Sequence, residues 1–406
     1  MKKVHLTLLL ALSITTIPAF ALRCKPSYPA SCYSSSDCNC NPCLGPYNQL
    51  GNAPVCPHTC GSDFIFEASG LCWKVQEEGL DYAVDILAKF PQGINPLSSS
   101  ILALNQLQDA KYHSPHFDWN WGAKLGLSYC SPCDGWDLGF TWTTYKGRGQ
   151  DEVSFDSEDE SQVLLPLWSC YSRQEGPLFA TQILTRYNLQ LNIYDFELGR
   201  EFWTSRYVTV RPFIAIRGAT IDQCFQIEHN GGSWEGTQAA GVNIPPYINQ
   251  VTFHNDFAGA GIRCGWDSVW NVGCGWGLYG NFALALLYGS FTIEHDERNR
   301  EATTPFAKNI LLDTEHPFSA SRAIADAALG IQYHTLICDC RYGFTMAFGY
   351  EQHVFFNQNQ LWRVVRMDKD FTATPTPLNT SGQNLFTQTR GSLTTHGFTF
   401  TLKFDF

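Results

Sequence analysis

Residues Ser392–Phe406 read SLTTHGFTFTLKFDF, and their order decides the fold. Phe398, Phe400, Leu402, Phe404 and Phe406 fall on one side of an alternation, with Thr399, Thr401, Lys403 and Asp405 on the other. A period of two over this length is a β-strand with one apolar and one polar face. Five large apolar groups on the last strand of a chain need a cover, and a transmembrane barrel covers them with lipid.

At the other end, Lys2 and Lys3 precede an apolar stretch from Leu6 to Phe20 and the triplet Ala19-Phe20-Ala21. This is the pattern of a secretory signal peptide cut after Ala21. Beyond it, the longest apolar run is Phe282–Tyr288, far short of the ~20 residues of a spanning helix. Yet the chain of 406 residues is 44% hydrophobic and 14% aromatic, with 16% charged residues and 33 glycines. Apolar residues spread without a long run fit strands that alternate, and so an all-β chain. Without Lys2 and Lys3, 25 basic residues face 38 acidic ones, a balance of −13 (27 − 2 − 38), which argues against nucleic acid as a partner.

Ten segments carry the alternation: 65–77, 121–129, 136–142, 183–198, 207–218, 253–266, 276–291, 322–334, 341–353 and the closing strand. In the fourth, Leu189, Leu191 and Ile193 share a face that changes parity at Tyr194, which predicts a bulge or the membrane rim there. Short and long connections take turns along the chain, as in an outer-membrane barrel with short periplasmic turns and long extracellular loops. The expected fold is therefore a transmembrane antiparallel β-barrel of about ten strands (eight to twelve allowed), over residues 63–406. An even count puts both ends on the periplasmic side. Trp119, Trp121, Trp136, Trp266, Trp276 and Tyr342 gather near strand ends as an interfacial girdle would. Residues 222–229 and 359–366 are candidates for further strands.

All sixteen cysteines follow the signal peptide, which places them in an oxidising compartment and points to disulfides. Cys24, Cys32, Cys38, Cys40, Cys43, Cys56 and Cys60 lie in a segment, 22–62, expected to hang on the periplasmic side. Cys130, Cys133, Cys274, Cys338 and Cys340 fall in or beside short turns on the same rim. Such a set fits ordinary intrachain bridges, or bridges to other copies or envelope proteins. Zinc at Cys40-x-x-Cys43 or Cys130-x-x-Cys133 lacks the histidine pairing, so no metal or cofactor is expected. The acidic run Asp151–Glu160 reads as a solvated loop or a cation-attracting vestibule, and Glu294–Glu297 (EHDE) as a polar loop rather than a metal site.

Four stretches, WKVQEEGLDYA (73–83), GWDLGFTWTTY (135–145), DFELGREFWTSRYVTVRPFIAIRG (195–218) and EQHVFFNQNQL (351–361), resemble the Legionella-type major outer-membrane, pore-forming protein family, which also occurs as MOMP-like proteins in chlamydia-related bacteria. The resemblance runs from about Phe64 to Phe406. It implies a barrel in the bacterial outer membrane, in contact with its lipid, that passes small hydrophilic solutes. The class also implies that Phe406 is the terminal aromatic read by the barrel-assembly machinery. The segment Cys24–Cys60 lies outside the resemblance and looks more like a disulfide-linked envelope.

In such a pore the inward charges matter. The candidates are Lys124, Asp137, Arg211, Arg217, Asp326, Arg341, Glu351, His353 and Lys403, forming a charged lining or pairing to fill it. Ten strands make a narrow barrel, whereas open aqueous channels are typical of roughly 16 or more. An enzyme is the rival reading, but the chain has no GxSxG, HExxH or P-loop motif, and the spaced glycines Gly259–Gly265 suit close packing inside a strand better than a dinucleotide site. Glu351 and His353 share a face, with His334 as a possible neighbour, and read as ion pairs rather than catalysts. The alternative to a channel is a structural or adhesive envelope protein that conducts little.

Overall fold

A backbone crossing lipid must satisfy its N–H and C=O groups within the protein, and a closed sheet does this without free edges. The computed structural model describes residues 52, 54–55, 58–59, 63–87, 110–131, 135–154, 162–170, 177–231, 233–234, 247–301, 309–337, 341–367 and 383–406. Ten long strands form the barrel: β1 (Asp63–Glu77), β2 (Trp119–Cys130), β3 (Trp136–Ser154), β4 (Gln182–Arg200), β5 (Val208–Asn230), β6 (Tyr247–Gly273), β7 (Trp276–Glu301), β8 (Asn309–Ile337), β9 (Tyr342–Asn359) and β10 (Gly391–Asp405). Each pairs antiparallel with its neighbour in sequence, and β10 pairs with β1 to close the ring. The seam runs from Ile65 opposite Asp405 to Glu77 opposite Leu393. Phe406 extends it through hydrogen bonds in both directions with Phe64, 2.8 and 2.9 Å. The ten expected strands are the ten observed.

Strand length separates two tiers. A lipid crossing needs roughly 9–11 tilted residues, yet β6, β7 and β8 run to 27, 26 and 29. These strands continue well past the bilayer, and at the boundary the faces exchange roles. On β4, Tyr194, Phe196 and Leu198 point outward and are exposed, while Leu189, Leu191 and Ile193 point inward and are buried. On β5, Ile214 and Ile216 face out, whereas Ile221, Phe225 and Ile227 face in. The same reversal occurs on β1 (Phe64 and Phe66 out; Leu71, Trp73 and Val75 in) and on β7 (Leu284, Leu286 and Tyr288 out; Phe291 and Ile293 in). No bulge is needed: β4 pairs in continuous register with β3 and β5 through Tyr194. What changes is the solvent, with lipid outside at one level and water outside at the next.

The lower, lipid-level tier carries the aromatic girdle. Trp119, Trp121, Trp136, Trp266, Trp276 and Tyr342 all point outward. On β10 the exposed aromatics run from Phe398 to Phe406, about 25 Å of tilted strand, which matches the apolar band of such barrels. The upper tier is filled. Its core joins inward residues of the strands to Leu80, Tyr82, Leu164, Trp168, Ala180 and Leu361 from the long connections.

The two candidate extra strands resolve differently. Residues 222–229 simply continue β5, and Trp362–Met367 pairs with Gln383–Gln388 in a separate two-stranded ribbon. Ala83–Leu87, Lys111–His113 and Gln162–Pro166 form another small sheet among the long connections.

Trp73 joins the tiers. It is fully buried, its indole donates to Thr399 Oγ1 at 3.2 Å, and its carbonyl accepts from Tyr145 Oη at 2.9 Å. Trp73→Ala should cost about 3–5 kcal/mol, read as a lower urea midpoint of the folded barrel in detergent.

Candidate functional site

Within the lipid-level tier the apolar face is outside, so every second residue presents a polar group to the interior. Inward charges from seven strands meet there in one connected network. Arg217 of β5 grips Asp195 of β4 with two parallel bonds of 2.7 Å, and its Nη1 stands 2.8 Å from Asp326 of β8. Arg263 of β6 also reaches Asp326, at 3.1 Å, and pairs with Glu197 of β4. Arg211 of β5 links Glu197, Asp267 of β6 at 2.8 Å, and Asp137 of β3 through its Nε at 2.9 Å. From Asp326 the path continues to His353 Nδ1 of β9 at 2.8 Å, then from His353 Nε2 to Glu351 at 3.5 Å. Glu351 meets Lys124 of β2 at 3.0 Å. Lys403 of β10 and Glu67 of β1 form a separate pair at 3.0 Å. Arg217, Asp195 and Asp326 are each buried, where bidentate geometry and shared partners are what make a buried charge tolerable.

Local sequence makes room for these long side chains. Gly199 of β4 faces inward beneath Arg211, and a Cβ there would come within 2.7 Å of the guanidinium carbon. In the run Gly259–Gly265, a Cβ on Gly261 would lie 1.9 Å from the Leu286 carbonyl oxygen, so β6 and β7 approach closely there.

Above the network, the long connections stopper the barrel. Trp168 sits edge-on to Phe225 and Phe253, with ring centres 6.4 and 5.0 Å apart, and donates its indole N–H to the Asp81 carbonyl at 2.7 Å. Next to it, Glu297 of β7 is fully buried and accepts from Ser169 Oγ (2.6 Å), the Cys170 N–H (2.7 Å) and Asn249 Nδ2 (2.6 Å). A cavity of about 10 Å³ lies among Glu77, Tyr187, Gln223, Phe225, Phe253 and Leu361.

At the short-turn mouth the chain ahead of β1 crosses the opening. Pro54 bridges to Phe202, and the Val55 N–H donates to the Glu201 carbonyl at 3.1 Å, in the β4–β5 turn. His58 lies on the far side, 3.3 Å from Asp405 of β10, with its ring 5.0 Å from that of His334 in β8. Burial alone would lower the His58 pKa, but the hydrogen bond and charge of Asp405, aided by Glu201 and Asp63, push it up to about 9.

The family model for the Legionella pneumophila major outer membrane protein precursor matches residues 58–406. The chain belongs to this family. It is therefore a protein of the bacterial outer membrane. No curated protein sequence matches. Among solved structures, the outer membrane protease OmpT from Escherichia coli is similar at 9% identity, covering 88% of this chain and 98% of that one, with a TM-score of 0.34. A FadL homologue from Pseudomonas aeruginosa (8% identity, 89% and 96% covered, TM-score 0.22) and the toluene transporter TodX of P. putida (9%, 85% and 89%, 0.26) are also similar.

Of the charges expected inside this family member, Lys124, Asp137, Arg211, Arg217, Asp326, Glu351, His353 and Lys403 all point inward. Arg341 does not: it is exposed in the turn before β9. His334 is not a neighbour of Glu351 and His353 either, being bound through Nδ1 to Thr345 Oγ1 at 2.9 Å. Arg263, Asp195, Glu197 and Asp267 of the network and Glu67 of the separate pair were not among the expected residues, although Asp195, Asp267 and Glu67 stand directly across from Arg217, Arg211 and Lys403. Residues 294–297 alternate across the wall, with His295 and Glu297 buried inside and Glu294 and Asp296 outside, so they cannot converge on an ion. From the acidic run, Asp151 belongs to β3 and accepts from Tyr82 Oη at 2.9 Å; residues 155–160 lie outside the described set.

Cys130 and Cys274, both beside short turns, each engage in a disulfide, though not with one another. Cys72, Cys170, Cys224 and Cys264 are not in disulfides. Cys24, Cys32, Cys38, Cys40, Cys43, Cys56, Cys60, Cys133, Cys338 and Cys340 lie outside the described residues, as does the expected signal peptide.

Removing one partner of a buried pair should cost more than removing both. Arg217→Ala is expected to lower barrel stability by about 3–5 kcal/mol, since Asp195 and Asp326 lose their bidentate and shared partner. Combining it with Asp195→Asn should recover part of that loss in urea unfolding. A loss in the double variant equal to the sum of the Arg217→Ala and Asp195→Asn losses would show that the pair is uncoupled. Gly199→Ala should act in the same direction as Arg211→Ala, by pushing the guanidinium off Asp137.

Proposed function

We propose that this chain is a porin-like channel, passing small hydrophilic solutes or ions across the outer membrane through a narrow, charge-lined passage whose long-loop end is stoppered. The observation that carries this reading is the connected charge network across the interior of the lipid-level tier. A barrel needed only as an anchor could fill that level with apolar side chains, as it fills the level above. The named groups comprise five cations (Lys124, Arg211, Arg217, Arg263, Lys403) and seven carboxylates (Glu67, Asp137, Asp195, Glu197, Asp267, Asp326, Glu351). Even with His353 counted as a sixth cation, carboxylates stay in excess by one (7 − 6), which in a low-dielectric wall favours cations over anions. For conduction, Trp168 and the segment around it must withdraw from the upper tier.

Planar-bilayer recording tests the proposal. Wild type should give rare, small, cation-preferring steps; Trp168→Ala should open more often, and Asp267→Asn should shift the reversal potential toward anions. No steps from either wild type or Trp168→Ala would sink the channel reading.

The filled upper tier favours a second reading, a structural envelope protein that conducts little and is held by disulfides to its neighbours. Non-reducing gels of whole envelopes separate the two, since a monomer band alone speaks against cross-linking. We assign no catalytic role: Asp326, His353 and Glu351 are engaged with one another and with Arg217, Arg263 and Lys124.

A further inference from the structure

Three side chains at the short-turn mouth belong to neither the charge network nor the apolar core. His58 comes from the chain ahead of β1, Asp63 begins β1, and Asp405 ends β10. One ligand atom from each lies within 4.8 Å of the others. His58 Nδ1 is 3.3 Å from Asp405 Oδ2 and 3.8 Å from Asp63 Oδ2. Zinc bonds of ~2.0–2.2 Å to nitrogen and carboxylate oxygen imply edges of roughly 3.3–3.6 Å in a tetrahedron; the His58–Asp405 spacing of 3.3 Å meets this and the His58–Asp63 spacing of 3.8 Å is slightly wider.

We propose that His58, Asp63 and Asp405 form a site for a divalent cation of the zinc class, with three protein donors and one position left for water. A second observation points the same way. His58 Nδ1 is shielded from solvent, and the two carboxylates stand around it, Asp405 at 3.3 Å and Asp63 at 3.8 Å.

The support that metal ligands need is also present. Asp63 is fully buried and held by the N–H groups of His58 and Thr59 and by the Thr59 hydroxyl. These bonds fix the orientation of the carboxylate beside His58. Asp405 is held in the seam opposite Ile65.

The site would add a metal link between the chain ahead of β1 and the β1–β10 seam, which already holds Asp63 and Asp405 near one another. β10 lies five strands from β5 around a ring of ten, so His58 and Val55 grip opposite sides of the opening. A bound ion would therefore tie His58 to the β1–β10 seam. This goes beyond the channel reading and does not depend on it, because binding is measured without conduction.

The test uses full-length protein folded in detergent, with free thiols alkylated without reduction and metal removed by a chelator. Cobalt(II) alone is then titrated as a spectroscopic stand-in for zinc. One equivalent should bind with the visible absorption of a low-symmetry, four-coordinate ion, and zinc should displace it. His58→Ala lies outside the barrel strands and should weaken binding at least ~10-fold; Asp405→Asn should do the same, with folding of both variants checked by heat-dependent migration on gels. If wild type fails to bind, or binds no better than folded His58→Ala, the proposal is overturned and the cluster is an ion pair only.

Discussion

The hydrogen-bonded seam between β1 and β10 is the constraint on which everything else depends. In lipid an open sheet edge would leave a row of unsatisfied N–H and C=O groups, each costing several kcal/mol. Closing the first strand on the last removes that edge, and the terminal Phe406 contributes through its own backbone bonds to Phe64. Closure also creates an inside. Only because the ring is complete can arginines from β5 and β6 meet carboxylates carried by β4 and β8 across it.

Two kinds of interior are stacked along the same strands. At the bilayer level lipid takes the apolar side chains, so polar groups fall inside and must find one another. Above it, water surrounds the wall, and the inside becomes an ordinary apolar core reached by Trp168 and Leu361. Trp73 lies where the two meet, its ring 4.8 Å from His353 below and 5.6 Å from Tyr145. The network is thus sealed on one side by aromatic packing and overlaid on the other by the chain crossing the short-turn mouth.

Much of this was legible in the sequence, for a physical reason. Alternation is a local property, and each strand repeats it, so the ten strands and their outward aromatics could be read from spacing alone. The parity switch at Tyr194 was legible too, but a single strand cannot distinguish a bulge from a change of solvent; the neighbours in register do. Arg263 was hidden among glycines that drew attention to themselves. Arg341 was placed inside by extending a strand one residue too far, into a turn. The meeting of His58 with Asp63 and Asp405 depends on the long-range seam and on a crossing segment without periodicity, so no local pattern could announce it.

The reversal of faces has a consequence for how the chain sits in its membrane. In a barrel of uniform alternation, a strand displaced by two residues keeps every side chain on its proper face, and little resists the slip. Here the same displacement carries Ile193 or Tyr194 across the boundary between two solvents. An apolar group would then enter water outside, or a carboxylate would move toward the packed rings within. Each strand that reverses therefore bears a mark of its own depth, and such marks on β1, β4, β5 and β7 fix the vertical position of the wall.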